Sequence, residues 1–317
     1  MQRCAMPPRR LPARPPLRLA LACCLTVAAP VLAQSPSPPP GAAASFHAAV
    51  TARLDALRVA VPTADVAIAL HDLETGARYA LQDTVVFHAA STMKVPVLID
   101  LVREADAGRL SLDETVPLTN TFHSIVDGSP YALDPADDSD DTVYARVGES
   151  VPLRWLAERM ITHSSNLATN ALIARLDPVR ITRTMAAFGA TRTQVRRGVE
   201  DGPAYRAGLN NVTTAGDLAT ILETLERGRA ASPDGTTFLR DVLLAQHFRG
   251  EIPAGLPAGT RVAHKTGWIS GTLHDAAIVY PEGRAPFVLV VLTRGIPDEP
   301  TAARFIADVA RLAWTSR

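Results

Sequence analysis

The sequence is nearly without lysine and cysteine, and its N-terminal apolar run is too short to span a membrane. Of 32 basic residues only Lys94 and Lys265 are lysine, and the other 30 are arginine. The three cysteines, Cys4, Cys23 and Cys24, fall in the first 24 residues, inside a stretch that reads as an export signal. Arg9, Arg10, Arg14 and Arg18 form its basic start, residues 19–29 its apolar centre, and Val31-Leu32-Ala33 the small residues for cleavage. Arg9-Arg10 also admits twin-arginine export. Lipidation at Cys23 or Cys24 is admitted too, although a good leucine-plus-small pattern is missing before them. Removal of residues 1–33 leaves no cysteine, which excludes a disulfide framework, a thiolate metal site and a cysteine nucleophile.

The signal places the mature protein in the periplasm or outside the cell, with no stable membrane insertion after cleavage. Residues 34–44 (QSPSPPPGAAA) read as a Pro-rich tether. The remainder, 45–317, holds enough chain for one large domain or two fused lobes. It carries 27 basic against 32 acidic residues, a balance that offers nothing to nucleic acid in general. A monomer acting on a small molecule is expected.

The scarcity of lysine turns attention to the two that remain. Where the chain needs only positive charge it uses arginine, which stays charged in proteins. An amine that must give up its proton cannot be replaced in that way. Lys94 follows Ser91 by three residues in Ala90-Ser91-Thr92-Met93-Lys94-Val95, where a β-prone stretch gives way to a helical pattern. Residues three apart on a helix share a face, so Ser91 Oγ and Lys94 Nζ come within reach of each other. A lysine whose pKa is lowered by burial or by nearby positive charge can take the serine proton. The helix start adds free N–H groups for developing negative charge. Alone, Ser-x-x-Lys is a pattern that chance supplies freely.

Apolar periodicity predicts a helix over 45–59, with Phe46, Val50, Leu54, Leu57 and Val59 at helical spacing. Val66, Ile68 and Leu70 alternate with Asp65, Ala67 and Ala69, and Glu74-Thr75-Gly76 turns the chain back into a β-hairpin. Helices are expected over 95–106, 151–161, 166–176, 178–188 and 213–227, and from Ser232-Pro233 to about Gln246. Strands follow at 261–266, 273–280 and 286–292, then a helix at 302–314. The loop 120–149 is rich in aspartate. From Asp138 it briefly imitates a calcium loop, but Val143 stands where the turn needs glycine, so it reads as a solvated rim. The fold class is α/β. An antiparallel five-stranded sheet is flanked by the terminal helices and carries an inserted all-helical subdomain. The sheet lobe covers about 45–90 and 229–317, and the helical lobe about 91–228.

Two further motifs join the first. His163-Ser164-Ser165-Asn166 opens a helical stretch, and His264-Lys265-Thr266-Gly267 ends a strand. Ser-x-x-Lys, Ser-x-Asn and Lys-Thr-Gly in that order resemble the penicillin-recognising serine enzymes, and most of all the class A β-lactamases. The likeness runs over 46–314 and includes Asn170, four residues after Asn166. It implies β-lactam hydrolysis through an acyl-enzyme on Ser91, with Lys94 as base. The N–H groups of Ser91 and Trp268 would hold the oxyanion. Ser164 would relay a proton to the leaving nitrogen, supported by Lys265. Asn166, Asn170, Thr266, Gly267 and Trp268 would bind substrate. Glu200 falls near the family's deacylating glutamate. No metal or cofactor is implied, and the histidines have no metal spacing.

The plainer readings are helix capping for Ser164 and Asn166, and a loop ion pair with Arg196 or Arg197 for Glu200. Departures from the family are Ser165 in place of an aspartate, a displaced Leu209-Asn210, a bulky Trp268-Ile269 after Lys-Thr-Gly, and a long 121–141 loop. The alternative function is a penicillin-binding D-alanyl carboxypeptidase or esterase whose acyl-enzyme is long-lived.

Overall fold

The computed structural model of the protein describes the backbone of residues 40–317 and side chains from 45 onward. The expected signal (1–33) and residues 34–39 of the expected tether lie outside the described residues. Helix α1 (Pro40–Ala60) starts inside that tether. Proline suits a first helical turn, and the alanines after it are the strongest helix formers. Phe46, Val50, Leu54 and Leu57 are buried, whereas Val59 is 86% exposed. Helical rotation carries Val59 about 220° round from Phe46, off the apolar face.

Strand β1 (Asp65–Asp72) turns into β2 (Arg78–Leu81). Asp72 Oδ1 accepts from the N–H groups of Glu74 and Thr75 at 2.9 and 3.0 Å, and Gly76 takes the φ of +76° that closes the turn. A 3-10 turn over Ala90–Met93 runs into α2 (Lys94–Asp106). Helices α3 (Leu153–Thr162), α4 (Asn166–Arg175), α5 (Pro178–Ala187), the short α6 (Gly202–Arg206), α7 (Ala215–Glu226) and α8 (Pro233–Leu244) follow. The chain closes with β3 (Arg261–Ile269), β4 (Thr272–Tyr280), β5 (Phe287–Arg294) and α9 (Glu299–Thr315). Side-chain caps from Ser165, Asp177, Asp201, Thr214, Ser232 and Asp298 start α4 to α9. Two helices begin later than periodicity predicts. Ser150–Pro152 pairs with Thr115–Pro117, and Val212–Thr213 pairs with Phe87–His88, and such remote pairing leaves no local signal.

The five strands form one antiparallel sheet in the order β2-β1-β5-β4-β3. On one face Val66, Ile68, Leu70, Phe287, Leu289 and Val291 meet α1 and α9 in a shared core. On the other, Ala67, Ala69, Val288, Val290 and Leu292 join the core of the helical segment. Alanine at alternate positions of β1 leaves room for a helix to lie close on that side. Helix α8 lies beyond the boundary expected at 229, yet Leu239, Val242 and Leu243 pack into the helical-side core. No helix among the described residues is long and apolar enough to cross a membrane.

The sheet also buries a polar cluster on the α9 side of β3 and β4. His264 Nδ1–H donates to Asp275 Oδ1 at 3.0 Å, and the N–H of Ile252 donates to Asp275 Oδ2 at 3.1 Å. Glu251 beside them is 8% exposed, and its Oε2 has no hydrogen-bond partner among the described residues. Burial and then the Asp275 charge push the Glu251 carboxyl up to about 7. The unfolded chain therefore ionises Glu251 first, and stability falls as pH rises from about 4.5 to about 7. Glu251→Gln removes that loss. Its stability relative to wild type, from urea unfolding, should improve between pH 5 and pH 8 by on the order of 2 kcal/mol. A pH-independent difference would count against a protonated Glu251.

Candidate active site

Ser91 sits in the 3-10 turn rather than within the α-helix proper. In that geometry residues i and i+3 eclipse, which keeps Ser91 and Lys94 on one side. Ala90 just before it holds φ +45°, with its N–H donating to His88 Nδ1 at 3.0 Å. The edge strand β3 passes so near that a Cβ on Gly267 would lie 3.2 Å from Ser91 N, Ala90 Cβ and Thr92 Cγ2. Only glycine fits that approach without displacing the turn. Thr266 is buried and Trp268 is 58% exposed, one on each side of Gly267.

Lys94 and Lys265 are both fully buried and converge on one hydroxyl. Ser164 Oγ accepts from Lys94 Nζ at 3.1 Å and from Lys265 Nζ at 3.1 Å. Both lone pairs are then engaged, so the Ser164 proton is directed away from the lysines. Lys94 also donates to Ser164 O at 2.5 Å and Asn166 Oδ1 at 3.0 Å, and Lys265 to Thr266 O at 3.0 Å. Burial, then the Lys265 charge, drives the Lys94 amine well below the ordinary lysine range, against the pull of Asp138 and Glu200. Burial lowers Lys265 to about 7, opposed by Asp275 and Glu251. The three donations use every proton of a Lys94 ammonium, and the lowered pKa makes it a group that gives one of them up readily.

Ser164 has φ +58° and Glu200 φ +63°. Of the four non-glycine residues with positive φ among the described residues, Ala90, Ser164 and Glu200 belong to this site, and Gln82 is the fourth. Each such residue costs on the order of 1–3 kcal/mol, and strain of this kind gathers where function holds it.

The start of α4 fixes Ser164. Asp138 accepts from the N–H of Asn166 at 2.9 and 3.0 Å, from that of Leu167 at 3.0 Å and from Tyr144 Oη at 3.0 Å. The carboxylate missing at Ser165 is thus delivered from the loop, 27 residues upstream. At Asp138 and Asp140 this corrects the reading of that loop as a solvated rim, whereas Asp134, Asp137 and Asp141 are exposed. Asp140 is buried, in a two-point ion pair with Arg159 at 2.5 and 2.6 Å. The acids that imitate a calcium loop are committed to N–H groups and to a guanidinium.

Glu200 lies on the other side of Asn166 from the lysines. Asn166 links it to the lysines, because its Oδ1 accepts from Lys94 while its Nδ2 donates to Glu200 Oε1 at 3.1 Å. Burial raises the Glu200 carboxyl, and Asp137 and Asp138 add to this. The Asn166 amide and the Asp134 N–H pull the other way. Neither expected ion pair forms. Arg196 goes to Gln194, and Arg197 donates to Leu209 O, Gly198 O and Asn210 Oδ1 at 3.1, 3.0 and 2.9 Å, so that it fastens the loop. Asn170, expected to bind substrate, is 1% exposed. Its Oδ1 accepts from Val199 N at 2.6 Å and its Nδ2 donates to Val199 O at 3.0 Å, so its amide holds the residue before Glu200.

The site therefore offers a half-buried hydroxyl beside the sheet edge, a dry lysine pair around a second hydroxyl, and a carboxylate of raised pKa. That set suits acyl transfer to serine followed by attack of water. A sequence model of the beta-lactamase enzyme family matches residues 49–316. A beta-lactamase of Bacillus amyloliquefaciens is 34% identical over 166 residues, 51% of this chain and 54% of that one. The chain thus spans about half the length of such relatives. An ancestral class A beta-lactamase structure superposes with TM-score 0.72 at 28% identity, covering 84% of this chain and 100% of that one. An acyl-enzyme complex of PBP-A L158E with penicillin G superposes at 0.69 and 26% identity, covering 84% and 96%.

The borrowed cap makes a prediction of sign. Asp138→Ala should lower unfolding stability by about 1–2 kcal/mol, since it removes the acceptor for two helix N–H groups. Ser165→Asp should destabilise wild type, where it crowds Asp138, but stabilise Asp138→Ala. Additive effects in a thermal-unfolding double-mutant cycle would contradict the shared role.

Proposed function

The chain belongs to the beta-lactamase enzyme family, and on that premise we propose that it hydrolyses β-lactams through an acyl-enzyme on Ser91. The observation that carries the reading is Ser164 Oγ held between Lys94 and Lys265 next to the Ser91 turn, with Glu200 joined to Lys94 through Asn166. Lys94, its pKa lowered in the dry pocket, gives up one proton and then takes that of Ser91 as Oγ bonds to the lactam carbonyl carbon. The N–H groups of Ser91 and Trp268 receive the oxyanion. The proton moves from Lys94 through Ser164 Oγ to the lactam nitrogen as the C–N bond breaks. Lys265 and Thr266 attract the substrate carboxylate.

Deacylation falls to Glu200. Its carboxylate takes a proton from water as the water oxygen attacks the ester, and Ser91 leaves with that proton. Asn170 serves by holding Val199 rather than by touching substrate. Residues 1–33 would carry the protein to the periplasm or beyond as a monomer. The second reading is a D-alanyl carboxypeptidase or esterase that β-lactams block, and the likeness to PBP-A favours it.

A chromogenic cephalosporin with the purified chain separates the two readings. Wild type should give many turnovers per enzyme, and Ser91→Ala none. Glu200→Gln should give a burst of one equivalent and then turnover slowed by about 10²–10⁴. The acid limb of wild-type turnover should lie above the ordinary glutamate range, because the base must be ionised and its pKa is raised. Full turnover by Glu200→Gln would remove Glu200 from the mechanism, and a burst without turnover in wild type would favour the second reading.

A further inference from the structure

The long loop that departs from the family contains a small hairpin. Phe122–His123 pairs with Pro130–Tyr131, and Gly128 at φ +70° turns between them. Ser124 N–H donates to Ser129 O at 2.9 Å, and Gly128 N–H to Ser124 O at 3.0 Å. The hairpin meets the Glu200 segment on both sides of that residue. Before it, Gly198 lies under Tyr131, and a Cβ there would come within 2.8 Å of Tyr131 Oη and of Asn170 Oδ1. After it, Asp201 is 1% exposed and turns its carboxylate to the hairpin. Oδ1 accepts from Ser124 Oγ at 2.7 Å, and Oδ2 from the Ile125 N–H at 3.0 Å. The same Oδ1 caps α6 through the Ala204 N–H at 3.1 Å.

We propose that this hairpin is a buttress for the deacylating carboxylate, with Ser124 and Asp201 as positioning residues that hold Glu200 in its strained conformation. The proposal rests on the reading of Glu200 as the base. A glutamate at φ +63° relaxes toward negative φ unless both neighbours are fixed. Val199 is fixed by Asn170. Asp201 is fixed by the hairpin through both of its carboxylate oxygens. A cap for a five-residue helix needs one acceptor oxygen, and the second oxygen with the Ser124 hydroxyl is the part that the hairpin adds. An error of about 1 Å at a catalytic group can cost about 10²-fold, so a slack Asp201 should be felt at Glu200 and not at Ser91.

Stopped-flow measurement of separate acylation and deacylation constants on the purified chain, with benzylpenicillin, tests this. Ser124→Ala should slow deacylation by about 10-fold or more and leave acylation within about 2-fold. Ser124→Thr, which keeps the hydroxyl, should restore deacylation. In a Glu200→Gln background, Ser124→Ala should slow deacylation no further, because its effect passes through Glu200. Unchanged deacylation in Ser124→Ala, equal slowing of both steps, or further slowing in the Glu200→Gln background would each overturn the buttress. Normal deacylation by Glu200→Gln itself would overturn the reading of the base instead.

Discussion

One hydroxyl oxygen between two buried amines governs this structure. Ser164 Oγ accepts from Lys94 and Lys265 at 3.1 Å each, and neither lysine has solvent to dilute its charge. Burial lowers both amines, and the Lys265 charge lowers Lys94 further, so these lysines release a proton more readily than surface lysines do. A neutral amine beside a serine is what nucleophile activation requires. Arginine would keep its charge under the same compression, which explains why the two positions stand apart in a chain that otherwise uses arginine.

The fold supplies this arrangement from three separate places. Lys94 comes from the start of α2, Ser164 from the approach to α4, and Lys265 from the free edge of the sheet. Strain concentrates where these parts meet, at Ala90, Ser164 and Glu200, and surrounding bonds hold each one. His88 holds the Ala90 N–H, the two lysines hold Ser164, and Asn166 holds the Glu200 carboxylate. Asn166 ties the lysine pair to the Glu200 carboxylate by spending both ends of its amide.

Much of this was legible in the sequence. The alternation of Val66, Ile68 and Leu70, the Glu74-Thr75-Gly76 turn and the Ser232-Pro233 helix start describe elements whose causes are local. The lone lysines marked the residues that the structure brings together. What stayed hidden depends on partners far along the chain. Asp138 is one acid in a run of five, and nothing nearby says that its oxygens cap a helix 28 residues on. The paired amide of Asn170, the Ser124–Asp201 bond and the two-residue ladders have the same character. The tether failed as an expectation at its C-terminal end, where alanines after Pro40 outweigh the prolines before it.

With only two lysines in the chain, selective ¹³C labelling of lysine gives just two side-chain signals to follow by NMR as pH is varied. If a dry lysine pair around Ser164 provides the base, both signals should titrate below the ordinary lysine value of 10.5, with Lys265 near about 7 and Lys94 well below its usual range. Two signals titrating together near 10.5 would show two ordinary ammonium groups at neutral pH, and would leave Ser91 without the base on which this account depends.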